Sequence, residues 1–510
     1  MAHPLVPGVE KICQRESRGR PARVLMHCPR VIIAGLSGGS GKTIVSLGLA
    51  RTWVRSGIAV KPFKKGPDYI DAKWLSLAAG VTATNLDSYL LRKPVLRALF
   101  RTSMAGFEGA LIEGNRGIFD GKDLSGSYST AELARIIDAP VIVVMDCTKM
   151  TRTAAALVRG IIAFEPDVRI AGVILNRTAN NRHRAILRDA IEQYAGVPVL
   201  GALPKIRHNP LPERHMGLIS DQEYAMSGTA LDTVADLIQE HVDTQRIWRI
   251  AVGATPLDAR PSTPIDAHQD IWATARRALP EDCPPVRIGY VRDAALWFYY
   301  EENLEALRRA GAELIRLSLL DQKAWPALDG LYLGGGFPET MAERLAANVP
   351  TRSHVKAAAD SGMPIYAECG GLMYLGRDLV YKGTAYPMAD VFPITTRLCE
   401  RPQGLGYIEA AVAVENPYHP LGARIRGHEF HYSQCIVHDD PPPVFCLQID
   451  KAYGGLGSER DGLLTKNVFA SYLHLFALGE PHWAVRFVQA ANRFRGAGLN
   501  AIHQPCRRSG

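Results

Sequence analysis

The sequence predicts an α/β protein that contains two doubly wound domains. Two long stretches, from about residue 31 to 240 and from about 286 to 495, alternate short apolar strands with helical patterns. Such alternation is typical of βαβ units, which form a parallel sheet with helices on both faces. The length of 510 residues also exceeds what one hydrophobic core usually holds, which favours two domains over one.

Each half supplies its own series of predicted strands. Those of the first half are Val31–Gly35, Val60–Phe63, Ala110–Glu113, Val141–Asp146 and Ile170–Asn176. Those of the second half are Arg287–Val291, Glu313–Leu317, Gly330–Leu333 and Pro364–Ala367, and helices are predicted at Asn303–Ala310 and Arg352–Ser361. No internal repeat relates the two series, so the halves are different modules.

A proline-rich segment separates the two halves. Pro256, Pro261, Pro264 and the pair Pro284-Pro285 interrupt both the helical and the strand pattern, which is typical of a linker. The predicted organisation is a basic disordered arm (1–30), a first domain (31–240), a linker (241–285), a second domain (286–495) and a tail (496–510).

The charge distribution argues against a nucleic-acid partner. The formal net charge is +8, and the arm alone carries six basic side chains against Glu10 and Glu16. Nucleic-acid binding needs a basic stripe on a folded module, whereas much of this excess lies at the termini. We therefore predict no nucleic-acid partner.

Composition also bounds the cellular setting. No apolar run is long enough to cross a bilayer, and the arm lacks the apolar core of a secretory signal, so we predict a soluble protein with no membrane partner. The nine cysteines form no C-x-x-C pair, which is typical of reduced thiols in the cytoplasm. The arginine-rich arm leaves an organellar presequence open.

The most informative motif is a glycine-rich loop between the first strand and a helix. Its backbone N–H groups at Gly38, Gly39, Ser40 and Gly41 can converge on phosphate oxygens, Lys42 adds a cation, and the Thr43 hydroxyl suits Mg²⁺. We assign Asn176, which ends the fifth strand, to the same nucleotide site.

This loop departs from the common G-x-x-x-x-G-K-T spacing, because Leu36 stands at the first glycine position. It is nearer the K-G-G-x-G-K-T loop of MinD-like ATPases, with Ser37 in place of their leading lysine. The missing lysine argues against a partitioning-type switch.

Acidic residues follow two neighbouring strands of the first half. Asp68 and Asp71 share a loop with Lys64 and Lys65, and Glu113 ends an apolar strand. Two acids with two lysines near phosphates suit metal ligation and carboxylate capture, and a strand-terminal acid suits a Mg²⁺ ligand or a water-positioning group, so we predict catalytic roles for Asp68, Asp71 and Glu113. The predicted Mg²⁺ ligands are Thr43, Asp68 and Glu113. A solvated charged turn and a simple strand-terminal acid are the alternatives.

The second half carries a candidate nucleophile. Cys369 lies at a strand-to-helix turn, where a helix N-terminus lowers a thiol pKa, and His474 follows another apolar strand as the candidate base. The predicted oxyanion hole consists of backbone N–H groups at Gly335, Gly336 and Gly370. His428 and His431 lack the H-E-x-x-H spacing and would face opposite sides of a strand, which disfavours a metal site there.

Together these motifs resemble the cobyrinic acid a,c-diamide synthase family, which joins a dethiobiotin-synthetase-like ATPase to a class I glutamine amidotransferase. The resemblance covers about residues 31 to 490. Further matching motifs are Asn85-Leu86-Asp87, Phe119-Asp120-Gly121, Leu211-Pro212-Glu213-Arg214-His215, Leu333–Glu339 and Gly427–Ser433. The resemblance implies a P-loop NTPase-like first domain and a flavodoxin-like amidotransferase second domain.

The resemblance also implies an activity. ATP, with Mg²⁺, would convert the a and c acetate carboxylates of a corrinoid or other modified tetrapyrrole into acyl phosphates, and ammonia from L-glutamine would displace the phosphate. By the same resemblance Cys369 attacks the glutamine amide, His474 shuttles protons, and ammonia travels inside the protein. A homodimer is also expected.

Two departures from the family pattern leave alternatives open. Phe476 stands where ordinary class I amidotransferases have an acid, which weakens the glutaminase prediction without excluding it. Lys65 and Ala72, with the Gly38-Gly39-Ser40 loop, resemble the branch that amidates siroheme. The alternatives are therefore a siroheme or (nickel) sirohydrochlorin a,c-diamide synthase, or a regulatory P-loop protein with an inert amidotransferase domain.

Overall fold

A computed structural model of the chain describes residues 25–206, 211, 213–214, 217–218, 227–255, 257–258, 271–272, 278–280, 283–438, 443–450 and 454–502. Two large sheets form its framework, and the prediction of two α/β domains is confirmed. No helix in these ranges combines the length and apolarity needed to cross a bilayer. Part of the predicted motif at 211–215, namely Pro212 and His215, lies outside the described residues.

The first sheet has seven strands, all parallel. In spatial order they are Thr84–Leu86, Val60–Lys65, Gly109–Glu113, Arg30–Gly35, Val141–Asp146, Ile170–Thr178 and Val199–Pro204. Alternate strand residues face opposite sides, so Val31 and Ile33 join one core and Ile32 and Ala34 join the other. The sheet is therefore buried on both faces, as parallel sheets are.

Helices cover both faces of this sheet. One face packs against Lys42–Arg55, Ile70–Ala79, Ser227–His241 and Thr244–Val252. The other face packs against Lys93–Ser103, Thr130–Ile136, Thr153–Phe164 and Asn181–Ala195. Because strands and helices alternate, the carboxyl ends of the strands gather at one edge, where ligands bind in such sheets.

Helix Thr244–Val252 lies inside the segment predicted as linker. Its buried residues Ile247 and Ala251 belong to the core of the first domain, and the Asp243 side chain accepts from Arg246 N at its N-terminus. Residues 25–26 of the predicted disordered arm form a short strand, Leu25–Met26, that pairs with Leu257–Asp258. Ordered structure therefore extends beyond both proposed boundaries.

The second sheet has ten strands and mixed direction. Its parallel part consists of Ala312–Leu317, Val286–Val291, Gly330–Leu333, Ile365–Glu368 and Val468–Ser471. Antiparallel strands then extend it: Arg460–Thr465, Val444–Ile449, Gly404–Val412, Arg424–His431 and His474–Leu475. Helices Glu301–Ala310 and His482–Ile502 cover one face, and helices Ala342–Ala347, Val349–Asp360 and Gly370–Leu375 cover the other.

Smaller elements complete the second half. A four-stranded sheet contains Thr384–Pro387, Asp378–Tyr381, Ile394–Leu398 and Ser433–Val437. Strand Leu296–Phe298 pairs with Gly335–Gly336, a 3-10 turn covers Pro338–Met341, and Glu213–Arg214 pairs with Gly217–Leu218 in the first half.

The two halves touch through polar and close backbone contacts. The Tyr407 hydroxyl donates to Asp87 Oδ2 at 2.6 Å. A Cβ atom on Gly479 would lie 2.3 Å from the Leu90 carbonyl oxygen, so only glycine permits this approach. Buried Glu302 of the second half acts electrostatically with Lys61 and hydrogen-bonds Thr84 of the first.

Candidate active sites

The glycine-rich loop has the form of an open phosphate cradle. Gly41 has φ 99°, and a Cβ there would lie 2.2 Å from Asn176 Nδ2, so glycine is required. Asn176 in turn donates to the Ser40 carbonyl at 2.9 Å. Positions 38 and 39 face open space, whereas Lys42 Nζ donates to the Ser37 carbonyl at 3.1 Å. The loop thus has room for an anion beside Lys42.

A buried lysine joins the acids beside this loop. Lys64 Nζ donates to Glu113 Oε1 at 2.9 Å and to Asp71 Oδ2 at 2.7 Å, and Thr43 Oγ1 donates to the same Glu113 oxygen at 2.9 Å. Burial alone would lower the pKa of Lys64, but the carboxylates of Asp71 and Glu113 raise it. The sequence analysis grouped Lys64 with Asp68 and Asp71, but it did not predict the contact with Glu113, which lies 49 positions away.

Asp68 lies next to this cluster. Its Oδ1 accepts from Asp71 N at 2.8 Å, and burial, followed by repulsion from Asp71, raises the pKa of Asp68 to about 7. Burial also raises the pKa of Glu113, whose Oε2 is buried without a hydrogen-bond partner. In the described ranges, no group of three or more His, Cys, Asp or Glu side chains is arranged to hold a metal ion.

Cys369 occupies a strained turn directly after strand Ile365–Glu368. Its backbone has φ 46° and ψ −99°, a conformation that costs about 1–3 kcal/mol for a residue with a side chain. Cys369 N donates to the Ser471 carbonyl at 2.7 Å. The expectation of a lowered thiol pKa does not hold: burial raises the pKa of Cys369, and the following helix has only six residues.

His474 has a carboxylate partner that the sequence analysis did not assign. Glu368 Oε2 accepts from His474 Nδ1 at 3.1 Å, and both side chains are buried. Tyr332 donates to the other Glu368 oxygen at 3.2 Å. Glu368 thus places a carboxylate beside the candidate base, where Phe476 supplies none. The only signal was its place beside Cys369, since its partner lies 106 positions away.

Asp461 fixes the chain that leads into His474. Its carboxylate accepts from the backbone N–H groups of Tyr472 and Leu473 at 3.1 Å, and burial raises its pKa to about 7. This second missed residue holds the base in place through the backbone.

The three predicted oxyanion glycines meet beside the base. A Cβ on Gly370 would lie 2.9 Å from Gly336 N, and a Cβ on Gly335 would lie 2.5 Å from His474 Cε1. Pairing with strand Leu296–Phe298 holds Gly335 and Gly336 in place. The backbone donors therefore lie next to the candidate base, an arrangement that suits stabilisation of an oxyanion.

Tyr69 connects the two candidate sites. It lies between Asp68 and Ile70 in the first domain, yet its ring packs among aromatic side chains of the second. Its ring centroid is 5.0 Å from that of Phe298, 4.6 Å from Tyr300 and 5.3 Å from His474.

A cavity of about 680 Å³ lies between the domains. Its lining includes Asp68 and Asp71 from the first domain and His428 and His474 from the second. The structure thus brings the acids of one site and the base of the other to one cavity. His428 also stacks on His474, with ring centroids 5.0 Å apart.

Comparison with known proteins agrees with this pairing of sites. Residues 31–219 match the CobQ/CobB/MinD/ParA nucleotide binding domain family, and residues 287–482 match the CobB/CobQ-like glutamine amidotransferase domain family. The matches confirm a nucleotide-binding domain joined to a glutamine amidotransferase domain, and with it the predicted class of glutamine-hydrolysing carbon–nitrogen ligase.

Curated relatives span nearly the whole chain. A cobyrinate a,c-diamide synthase of Magnetococcus marinus is 41% identical over 89% of this chain and 96% of its own length. Its counterpart from Archaeoglobus fulgidus is 38% identical over 91% of this chain and 98% of its own length. A third, from Listeria monocytogenes, is 39% identical over 88% and 96% respectively. The chain therefore belongs to the cobyrinate a,c-diamide synthase family.

Proposed function

We propose that this protein uses ATP and glutamine to amidate the a and c acetate carboxylates of a modified tetrapyrrole, with cobyrinate as the first-choice acceptor. The observation that carries this proposal is the single cavity lined by Asp68, Asp71 and His474. Its volume of about 680 Å³ lies within the usual range for small-molecule sites. The names of the relatives favour cobyrinate.

In the glutaminase step Cys369 is the nucleophile. Glu368 holds the Nδ1–H of His474, which leaves Nε2 free to take the thiol proton as sulfur attacks the glutamine amide. The N–H groups at Gly336 and Gly370 stabilise the oxyanion, and the proton then passes from His474 to the departing ammonia. Water hydrolyses the resulting thioester to glutamate.

In the synthetase step the glycine-rich loop holds the nucleotide. N–H groups of residues 38–43 and the Lys42 ammonium bind the phosphate oxygens. Bound ATP supplies the phosphoryl group that makes the acceptor carboxylate an electrophile. Thr43, Asp68 and Glu113 would hold Mg²⁺; the unpartnered Glu113 Oε2 fits this role, and Mg²⁺ takes its remaining ligands from phosphates and water.

The cavity gives ammonia a short route between the two reactions. His474 and Asp71 line the same cavity, which supports a short transfer of ammonia from the base to the acceptor carboxylate. There it attacks the acyl phosphate and phosphate leaves. A homodimer and a cytoplasmic location stay predictions.

The test offers cobyrinate, sirohydrochlorin and siroheme to the purified protein with ATP, Mg²⁺ and glutamine. Each amide formed should lower the product mass by about one unit and consume one ATP, as an acyl-phosphate route requires. Lys42→Ala should abolish amidation with glutamine and with ammonium. Conversion of siroheme but not cobyrinate would replace the acceptor and keep the mechanism, whereas no amidation of any acceptor would favour the regulatory alternative.

A further inference from the structure

The interdomain cavity has a basic region as well as an acidic one. Lys65, Arg116 and Lys122 line it together with the apolar or aromatic side chains of Leu405, Tyr407 and Phe430. Lys122 is engaged with the ring of Tyr89, 4.5 Å from its centroid. The other two cations of this lining, Lys65 and Arg116, have no bonding partner among the described residues.

Lys65 is buried without a bonding partner. Its side chain is 5% exposed, and among the residues that the structure describes its ammonium makes no hydrogen bond or ion pair. Burying an unpaired charge is costly, and burial lowers the pKa of Lys65. An anion that enters the cavity would pair with this ammonium and offset the cost of burying its charge.

The neighbouring Lys64, in contrast, has bonding partners. Lys64 and Lys65 are successive residues of strand Val60–Lys65, so their side chains leave opposite faces of the sheet. Lys64 is bound to Glu113 and Asp71 on the phosphate-loop side. Among neighbouring charges, those of Asp87 and Arg116 act most on Lys65.

Asp87 makes no hydrogen bond to Lys65, and its carboxylate oxygens accept from other donors. Oδ1 accepts from Tyr89 N at 2.8 Å and Leu90 N at 3.0 Å, and Oδ2 accepts from the Tyr407 hydroxyl at 2.6 Å. Its charge favours the Lys65 ammonium through space without satisfying its hydrogen bonds. The donors of Lys65 are left for a ligand.

Arg116 adds a second cation to the same region. It has φ 49° and is exposed, and no described residue pairs with its guanidinium. Two like charges near each other repel, which lowers the pKa of Lys65 further. An anion between them would relieve both the repulsion and the missing hydrogen bonds.

We propose that Lys65 and Arg116 form a subsite that binds a carboxylate of the acceptor macrocycle, an inference that rests on the proposed function. An acceptor amidated at two positions carries two carboxylates, and only one can react at a time. The subsite holds a carboxylate that is not reacting and so orients the ring in the cavity. The opposed direction of Lys64 and Lys65 favours this ligand over an ATP phosphate.

The test compares full-length Lys65→Met, Lys65→Arg and wild type, with Lys323→Met at an exposed position as the matched control. Cobyrinate and siroheme are titrated into each protein without ATP or glutamine, and binding is followed by tetrapyrrole absorbance. Lys65→Met should weaken binding about 10- to 100-fold, the usual loss for a charged hydrogen bond. Lys65→Arg and Lys323→Met should retain it.

Two further measurements separate this role from a structural one. Lys65→Met should unfold at the wild-type temperature or above, because it removes an unpaired buried charge. Its KM for ATP should stay at the wild-type value. Unchanged macrocycle binding, or a loss confined to ATP, would overturn the subsite. If wild type amidates a macrocycle that Lys65→Met binds equally well, only the subsite is wrong; if wild type binds neither macrocycle, the subsite and the proposed acceptors both fail.

Discussion

The ring of Tyr69 lies nearly parallel to the ring of Phe298, with centroids 5.0 Å and planes 6° apart. Tyr69 lies between Asp68 and the helix Ile70–Ala79 that carries Asp71, whereas Phe298 lies in the strand that pairs with the oxyanion glycines. A stacked pair thus ties the acids of the synthetase site to the backbone donors of the glutaminase site.

This pair should control the coupling between the two reactions. Tyr69→Ala removes a ring packed between the sites and should let ammonia escape, raising the glutamate formed per amide above one. Tyr69→Phe keeps the ring and should keep the ratio near that of wild type. Both products are quantified in one reaction mixture. An unchanged ratio in Tyr69→Ala would mean that the ring takes no part in coupling.

Replacing Cys369 with Ser should abolish amidation with glutamine, because a serine hydroxyl cannot replace the thiol as nucleophile at this turn. Amidation with free ammonium should survive, since the synthetase residues are untouched. Release of glutamate and formation of amide are measured separately. A variant that still hydrolyses glutamine at the parent rate would show that another residue is the nucleophile.

Glu368→Gln should slow glutamine hydrolysis roughly 100-fold or more, because the histidine loses the carboxylate that fixes its tautomer and stabilises its charged form. Ammonium-dependent amidation serves as the internal control and should be preserved. Equal losses with both nitrogen donors would instead point to a general folding defect.

Glu302 should make the stability of the protein depend on pH. Burial raises its pKa to about 7 from 4.5, so the unfolded state loses this proton at lower pH than the folded state does. The resulting destabilisation is absent below pH 4.5, grows between 4.5 and 7, and reaches at most about 3 kcal/mol above 7.

Glu302→Gln should therefore stabilise the protein relative to wild type at pH 8 and much less at pH 5, as measured by thermal unfolding. Glu343→Gln, at an exposed position, is the matched control and should show no such trend. A Glu302→Gln difference that is equal at both pH values would contradict a raised pKa.

The sequence predicted those strands that consist of an apolar run between two turns. Strands such as Val141–Asp146 and Gly330–Leu333 were predicted with the bounds observed, because apolar runs between turns are a local signal. The antiparallel extension of the second sheet was missed, since pairing between Gly404–Val412 and Arg424–His431 depends on contacts beyond any one segment. Helix Thr244–Val252 had a detectable signal in its capping Asp243 and its apolar spacing.

The residues of the candidate sites also fall into those that local sequence predicts and those that it does not. The glycine-rich loop and Cys369 were visible because their turns demand particular residues in sequence. The roles of Glu368 and Tyr69 could not be predicted from the sequence, since their partners come from distant strands or from the other domain. The thiol pKa was expected in the wrong direction because burial, which outweighs a short helix, cannot be read locally.

The close approach of Gly479 to Leu90 limits how this enzyme could have been assembled or can be re-engineered. Even a methyl group at position 479 would meet the carbonyl oxygen of the other domain and push the halves apart. The amidotransferase half is therefore no interchangeable ammonia source that could be transplanted onto another synthetase by joining chains. Exchange would require the recipient to supply the same backbone contour at Leu90, so the two halves are expected to change in evolution as one unit.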